Sequence, residues 1–366
     1  MADRMDQGHD LNSEFIEAFG DQWRGNFMEL AELDEPFNPH ALGGWQSFVP
    51  KLGQTVSANE PQRDPQTGRV EIDPFNFHIG KLASGCRVAC VRVGHFRIDK
   101  ARAAHFALLA QMFQKVSDVC VLDLVHNPGG DMLRMYEILS ALTDRPLEVP
   151  KHELALTEDD VTRARTVLRR AAYADPDEPE KAPSPQIVAF SRFVVAEAEA
   201  GRARYLDPPS GINTQPAAIF GIEQVMPAAM PYSRPLVVVV DEMTFSAAEF
   251  AAAILKDNGR ATVFGCRTAG AGGMVREVPM PGLADTLGLD ESLGIASLTL
   301  TWTVGHRTNG TLIENTGIEP DVEYKRTVKD LTDGFANYRQ ALEAVVNSVA
   351  GFTPSPFSPG TASSGD

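Results

Sequence analysis

The sequence predicts a mixed α/β fold built on a mostly parallel sheet. Three observations carry this expectation. Apolar, β-branched runs such as VCVLDLV (119–125) and LVVVV (236–240) have no polar face, as strands covered on both sides require. Each is followed, within a few residues, by an amphipathic stretch long enough for a helix, at 131–144 and 247–257. The joints between them are short, which favours right-handed βαβ crossovers over antiparallel hairpins.

Taken in order, residues 1–76 read as an N-terminal arm rather than a self-sufficient domain. Phe15, Ile16, Phe19, Trp23, Phe27 and Leu30 recur at helical spacing, and QRDPQTGRVEID (62–73) reads as a loop or hairpin tip. The core runs from 77 to 350. CRVACVRVGHF (86–96) is a strand, and the helix that follows to 116 is capped by Asp99. DVCVLDLV is a buried strand, HNPGG (126–130) a turn, and a helix starts near Asp131. Residues 155–230 read as a helical insertion, with one helix opening on the acidic turn Thr157 to Asp160 and a second from 187 to 206. The α/β pattern resumes with a strand at 235–240, a helix at 247–257 and a strand at 261–265. A glycine-rich loop (268–273) leads to SLTLTWTV, whose alternation places Leu298, Leu300, Trp302 and Val304 on one face. RTNG (307–310) is a hairpin turn, TLIENTGIEPDV a return strand and turn, and 333–350 a closing helix. The tail 351–366 has the composition of a disordered end.

Composition narrows the function classes. A formal net charge of −16 disfavours nucleic acid and anionic membrane as partners, since phosphate repels such a surface. The four cysteines form no CxxC pair, so neither a zinc site nor a disulfide framework is expected, and no metal or other cofactor is called for. No apolar stretch long enough for a signal peptide or a membrane span occurs. Membrane insertion is not expected, and the compartment is left open.

The chemistry-bearing residues cluster at strand ends. Ser246 follows the LVVVV strand by a few residues and opens a helix. With Glu249 it spells S-x-x-E, a capping box. The same position suits a nucleophile, because the helix N-terminus aims free N–H groups at it and the Ala247 N–H could meet an oxyanion. In HNPGG, two glycines let backbone N–H groups approach a ligand closely, which makes the turn a second candidate oxyanion donor. A serine needs a base. Lys256 lies ten residues along the helix, roughly 15 Å away, and is out of reach. Glu314 is a candidate acid that orients a histidine, with a surface role as the alternative.

Together VCVLDLVHNPGG, PLVVVVDEMTFSAAEFAAAILKDNGRATVFGCRTAGAGG and NGTLIENTGIEPDV resemble the C-terminal processing (tail-specific, S41-type) serine peptidases, over roughly residues 75–345. The resemblance implies a ClpP/crotonase-like core, extended polypeptide substrates, Ser246 as nucleophile and Glu314 as the acid behind a histidine. It also implies an oxyanion hole from the N–H groups of Ala247, Gly129 and Gly130. Two departures accompany it. Ala271 stands where many members carry a dyad lysine, which favours a Ser/His/Glu mechanism. None of the eight histidines sits in a stretch that resembles the family's base motif, so the histidine is expected outside this chain, and the chain alone is expected to be weakly active or inactive. His126, beside the oxyanion loop, is a further candidate base. A homodimer or an N-terminal protease segment is the expected partner. The competing expectation is a noncatalytic peptide-binding scaffold derived from such a peptidase.

Overall fold

The computed structural model describes residues 47–59, 62–63, 70–71, 75–175, 181–202, 214–279 and 297–352. The helical pattern expected at 15–30, the end of the second insertion helix beyond 202 and the tail from 353 lie outside them. Seven strands form the central sheet: β1 (Gln54–Ala58), β2 (Phe77–Lys81), β3 (Arg87–Arg92), β4 (Val119–Asp123), β5 (Leu236–Val240), β6 (Thr262–Gly265) and β7 (Val322–Glu323). Their spatial order equals their chain order. β1, β2 and β3 pair antiparallel, and every pair from β3 to β7 is parallel. β1 belongs to the stretch read as an arm, so part of that arm is the sheet's edge.

The helices are α1 (Lys100–Val116), α2 (Met132–Ser140), α3 (Glu158–Ala172), α4 (Pro185–Glu199), α5 (Ala247–Asp257), α6 (Val328–Thr332) and α7 (Ala336–Val349). The period of two along each strand divides the core. Cys120, Leu122, Val238 and Val240 face a large cluster with α1, α2 and α5. Val119, Val121, Val237 and Val239 face a smaller one closed by Tyr338, Leu342 and Val346 of α7. Helices on both faces are why these strands carry no polar face. The expected caps form: Asp99 accepts from Arg102 N, Asp131 accepts from Leu133 N and Arg134 N, and Thr157 and Asp160 make a reciprocal capping box.

The insertion is stitched to the core by short antiparallel ladders. Lys151–Leu154 pairs with Thr303–His306, and Leu147–Glu148 with Gln224–Val225. α4 ends at Glu199, where Gly201 adopts φ +69° and Arg202 N donates to Glu197 O, which closes the helix early.

Two expectations are corrected. SLTLTWTV is not one alternating strand. It splits at Trp302 into Ser297–Thr301 and Thr303–His306, because Met274 O accepts from both Trp302 N (2.8 Å) and Thr303 N (3.1 Å). Trp302 is therefore 2% exposed and held under the Arg276 guanidinium, while Leu300 is 51% exposed. The return segment after RTNG makes only an isolated bridge, His306 to Leu312, and regains strand geometry at β7. The turn itself forms as expected, with Gly310 N donating to Arg307 O and Arg307 N to Thr311 O.

Candidate active site

The loops that leave the C-terminal ends of β4, β5 and β6 meet at one edge of the sheet, where open parallel sheets carry their sites. Ser246 lies in the β5–α5 loop with φ +50° and ψ −125°, a conformation that costs a non-glycine residue on the order of 1–3 kcal/mol. Its side chain makes no cap bond to α5. The surrounding loops hold the strained turn in place: Phe245 N donates to Asn127 O (2.9 Å), and Ser246 N donates to Ala271 O (3.0 Å).

The β4–α2 turn lies directly against this serine. A Cβ on Gly129 would fall 2.7 Å from Ser246 Cβ and 2.8 Å from Ala247 N, so only glycine fits. Of the three N–H groups the resemblance assigned to an oxyanion hole, two are free. Ala247 N and Gly130 N meet no acceptor among the described residues. Gly129 N instead donates to Asn127 Oδ1 (2.8 Å), so Gly129 contributes space rather than a free donor.

Glu314 sits on the neighbouring loop. Its Oε2 accepts from Gly305 N (2.8 Å), and its Oε1 is buried with no partner among the described residues. A Cβ on Gly273 would lie 1.8 Å from Thr303 O and 2.7 Å from Glu314 Oε1, which fixes glycine there too. Burial raises the Glu314 pKa, and the nearby Glu249 charge raises it further.

Glu249 is a residue that sequence reasoning placed in the wrong role. The capping box with Ser246 does not form as such. The buried Glu249 carboxylate turns to the glycine loop instead, accepting from Thr268 Oγ1 (2.5 Å), Gly270 N (2.7 Å) and Ala271 N (2.7 Å). Burial raises its pKa against the pull of these donors. Thr268 Oγ1 in turn accepts from Ile318 N (2.7 Å). One carboxylate thus ties α5 to the loop that holds Ser246 N and, through Thr268, to the segment that follows Glu314. The S-x-x-E spacing was the signal; the direction of the carboxylate was not in it.

His126, the candidate base, is held by Asp241. Its Nε2 lies 3.0 Å from Asp241 Oδ2, its backbone N donates to Asp241 Oδ1 (2.9 Å), and Phe48 packs edge-on against its ring. Asp241 also holds the Arg326 guanidinium. No hydrogen bond joins the Ser246 or Glu314 side chain to any described histidine.

An α/β sheet with a strained serine at a strand-to-helix turn, free backbone donors beside it and a buried glutamate nearby has the layout of a serine hydrolase. The peptidase family S41 model matches residues 87–324, more than half of the chain, and the chain belongs to that family. It is 33% identical over 250 residues to an uncharacterized protein of Chlamydia muridarum, and 34% identical over 249 residues to a protein of Chlamydia pneumoniae. Each match takes in 66% of this chain but only 40% and 39% of the relative, so the chain spans about two fifths of the curated relatives' length. Among solved structures it is similar to mature CPAF complexed with lactacystin, with a TM-score of 0.70 and 27% identity over 88% of this chain and 62% of that one. None of the described helices is long and apolar enough to cross a membrane.

Proposed function

We propose that this chain carries the core of a serine endopeptidase. Ser246 Oγ attacks a peptide carbonyl, and the oxyanion that forms is held by Ala247 N–H and Gly130 N–H. Glu314 Oε1 receives an imidazole N–H, orients that ring towards Ser246 and stabilises it once protonated. The imidazole comes from outside the described residues, and His126 has a structural role with Asp241. Polypeptide substrates lie extended beside the sheet edge.

The observation that carries this reading is Ser246 at φ +50° with its hydroxyl free of the helix cap. A serine that only capped α5 would take ordinary extended angles and bond to the first turn. Strain that is held by Ala271 O and Asn127 O, with an uncapped hydroxyl, fits a nucleophile held at a sharp turn. The test is hydrolysis of unfolded casein by the full-length protein. Ser246→Ala should lower the rate by three orders of magnitude or more. Equal rates would contradict the proposal.

The absence of a bonded histidine among the described residues favours a second reading, a noncatalytic peptide-binding scaffold. It predicts no casein hydrolysis by the wild-type protein, and peptide binding that survives Ser246→Ala.

A further inference from the structure

Next to the free donors stands a cation with no counter-ion among the described residues. Arg97 follows Phe96, whose backbone brackets the oxyanion turn: Phe96 N donates to Gly129 O (2.8 Å), and Asp131 N donates to Phe96 O (3.2 Å). A Cβ on Gly130 would lie 2.6 Å from Arg97 N and 3.0 Å from Arg97 Cγ. Since a Cβ on Gly129 would lie 2.7 Å from Ser246 Cβ, only two consecutive glycines separate the Arg97 stem from the serine. Adjacent Cα atoms are about 3.8 Å apart, so the Arg97 stem starts about two residues from the serine, and a side chain of that length can reach a substrate residue bound there.

Other arginines of this acidic chain are satisfied by carboxylates: Arg87 by Asp118, Arg276 by Asp160 and Arg307 by Asp257. Arg97 has no hydrogen bond or ion pair among the described residues, although its side chain is solvent-accessible. Partial burial lowers its pKa, and no carboxylate offsets this. The neighbouring His95 is held at about 4, first by burial and then by the charges of Arg97, Arg102 and Arg92. Of these, Arg92 is neutralised by Asp123 at 3.3 Å and Arg102 lies 3.9 Å from Asp99.

We infer that Arg97 sets substrate specificity, taking a carboxylate of the bound polypeptide beside the scissile bond. This rests on the peptidase reading of Ser246. The carboxylate is the acidic side chain of an internal residue, as an endopeptidase requires. A planar guanidinium grips a carboxylate in a two-pronged pair, and an uncharged amide isostere of the ligand loses that charge-assisted pairing.

The test uses the full chain carrying Ser246→Ala and fluorescein-labelled decapeptides with one Glu placed at each position in turn. Each has a Gln counterpart, and each is made with a free and an amidated C-terminus. Binding is read by anisotropy. At one register the Glu peptide should bind about 10-fold more tightly than its Gln counterpart. Arg97→Gln should erase that ratio, Arg97→Lys should keep part of it, and Arg97→Glu should turn the preference towards Lys peptides. A ratio that follows the free C-terminus instead of the walked Glu would overturn the inference. An unchanged ratio in Arg97→Gln, or no peptide bound at all, would overturn the inference. Fluorophosphonate labelling of Ser246 in the Arg97 wild type is run in parallel. Its failure sinks the peptidase reading while the binding ratio stands on its own.

Discussion

On the proposed mechanism, the buried carboxylate of Glu314 sets chemistry against stability. Its raised pKa means the folded state holds the proton more tightly than the unfolded one. Ionisation therefore costs folding free energy, and stability falls as pH rises from the ordinary carboxylate value through the raised one. Glu314→Gln removes that cost and keeps an acceptor for Gly305 N. It should melt at the same or a higher temperature by calorimetry, yet lose peptidase activity; a lower melting temperature together with full activity would contradict its assignment. At this scale the sequence was legible in part. The strand end and the helix pattern put Ser246 in a strand-to-helix turn, where the structure has it, while the role expected of Glu314 came only with the resemblance. Glu249 was misread, because S-x-x-E spells a cap equally well. Whether its carboxylate turns to Ser246 or to Gly270 and Ala271 depends on a loop some twenty residues away.

Among the elements, strands buried on both faces and amphipathic helices were legible because their periods are local. The break at Trp302 was not, since its cause is the carbonyl of Met274, brought in from the preceding turn. Nor was the place of β1 at the sheet edge, which follows from pairing with β2 across a poorly patterned arm. The glycine loop from Thr268 to Gly273 behaves as an element in its own right, with Glu249 as its staple. Glu249→Ala leaves Gly270 N, Ala271 N and Thr268 Oγ1 without their acceptor, and should cost about 3 kcal/mol of stability. Amide hydrogen exchange should speed up at Gly270 and Ala271 before it does in α5. Equal protection in the variant and the wild type would show that the loop holds itself.

For the whole molecule, the buried histidines set the acid limit. Burial lowers His152 to about 3, and burial followed by the Lys51 charge lowers His78 to about 4. Both stay neutral when folded and gain protons when unfolded. Their contribution is thus complete above the unfolded value near 6.5 and is lost as pH falls through the window down to about 4 and 3. Each costs about 1.4 kcal/mol per pH unit inside it. Glu249 and Glu314, held above the ordinary carboxylate value, slope the other way, so His152→Gln should flatten the fall of the urea midpoint between pH 7 and pH 5; an unchanged profile would contradict neutral burial. The completeness of the site also belongs to this scale. The sequence revealed the family but no base, because a base is a contact between distant segments and leaves no local pattern. On the proposed mechanism the imidazole would meet Glu314 Oε1, which is buried with no partner among the described residues. The most direct measurement is the rate of fluorophosphonate labelling, with the adduct mapped by mass spectrometry and imidazole added from solution. The account predicts an adduct on Ser246 whose formation imidazole accelerates in the wild type and not in Glu314→Gln. An adduct elsewhere, or a rate that ignores both imidazole and Glu314, would contradict it.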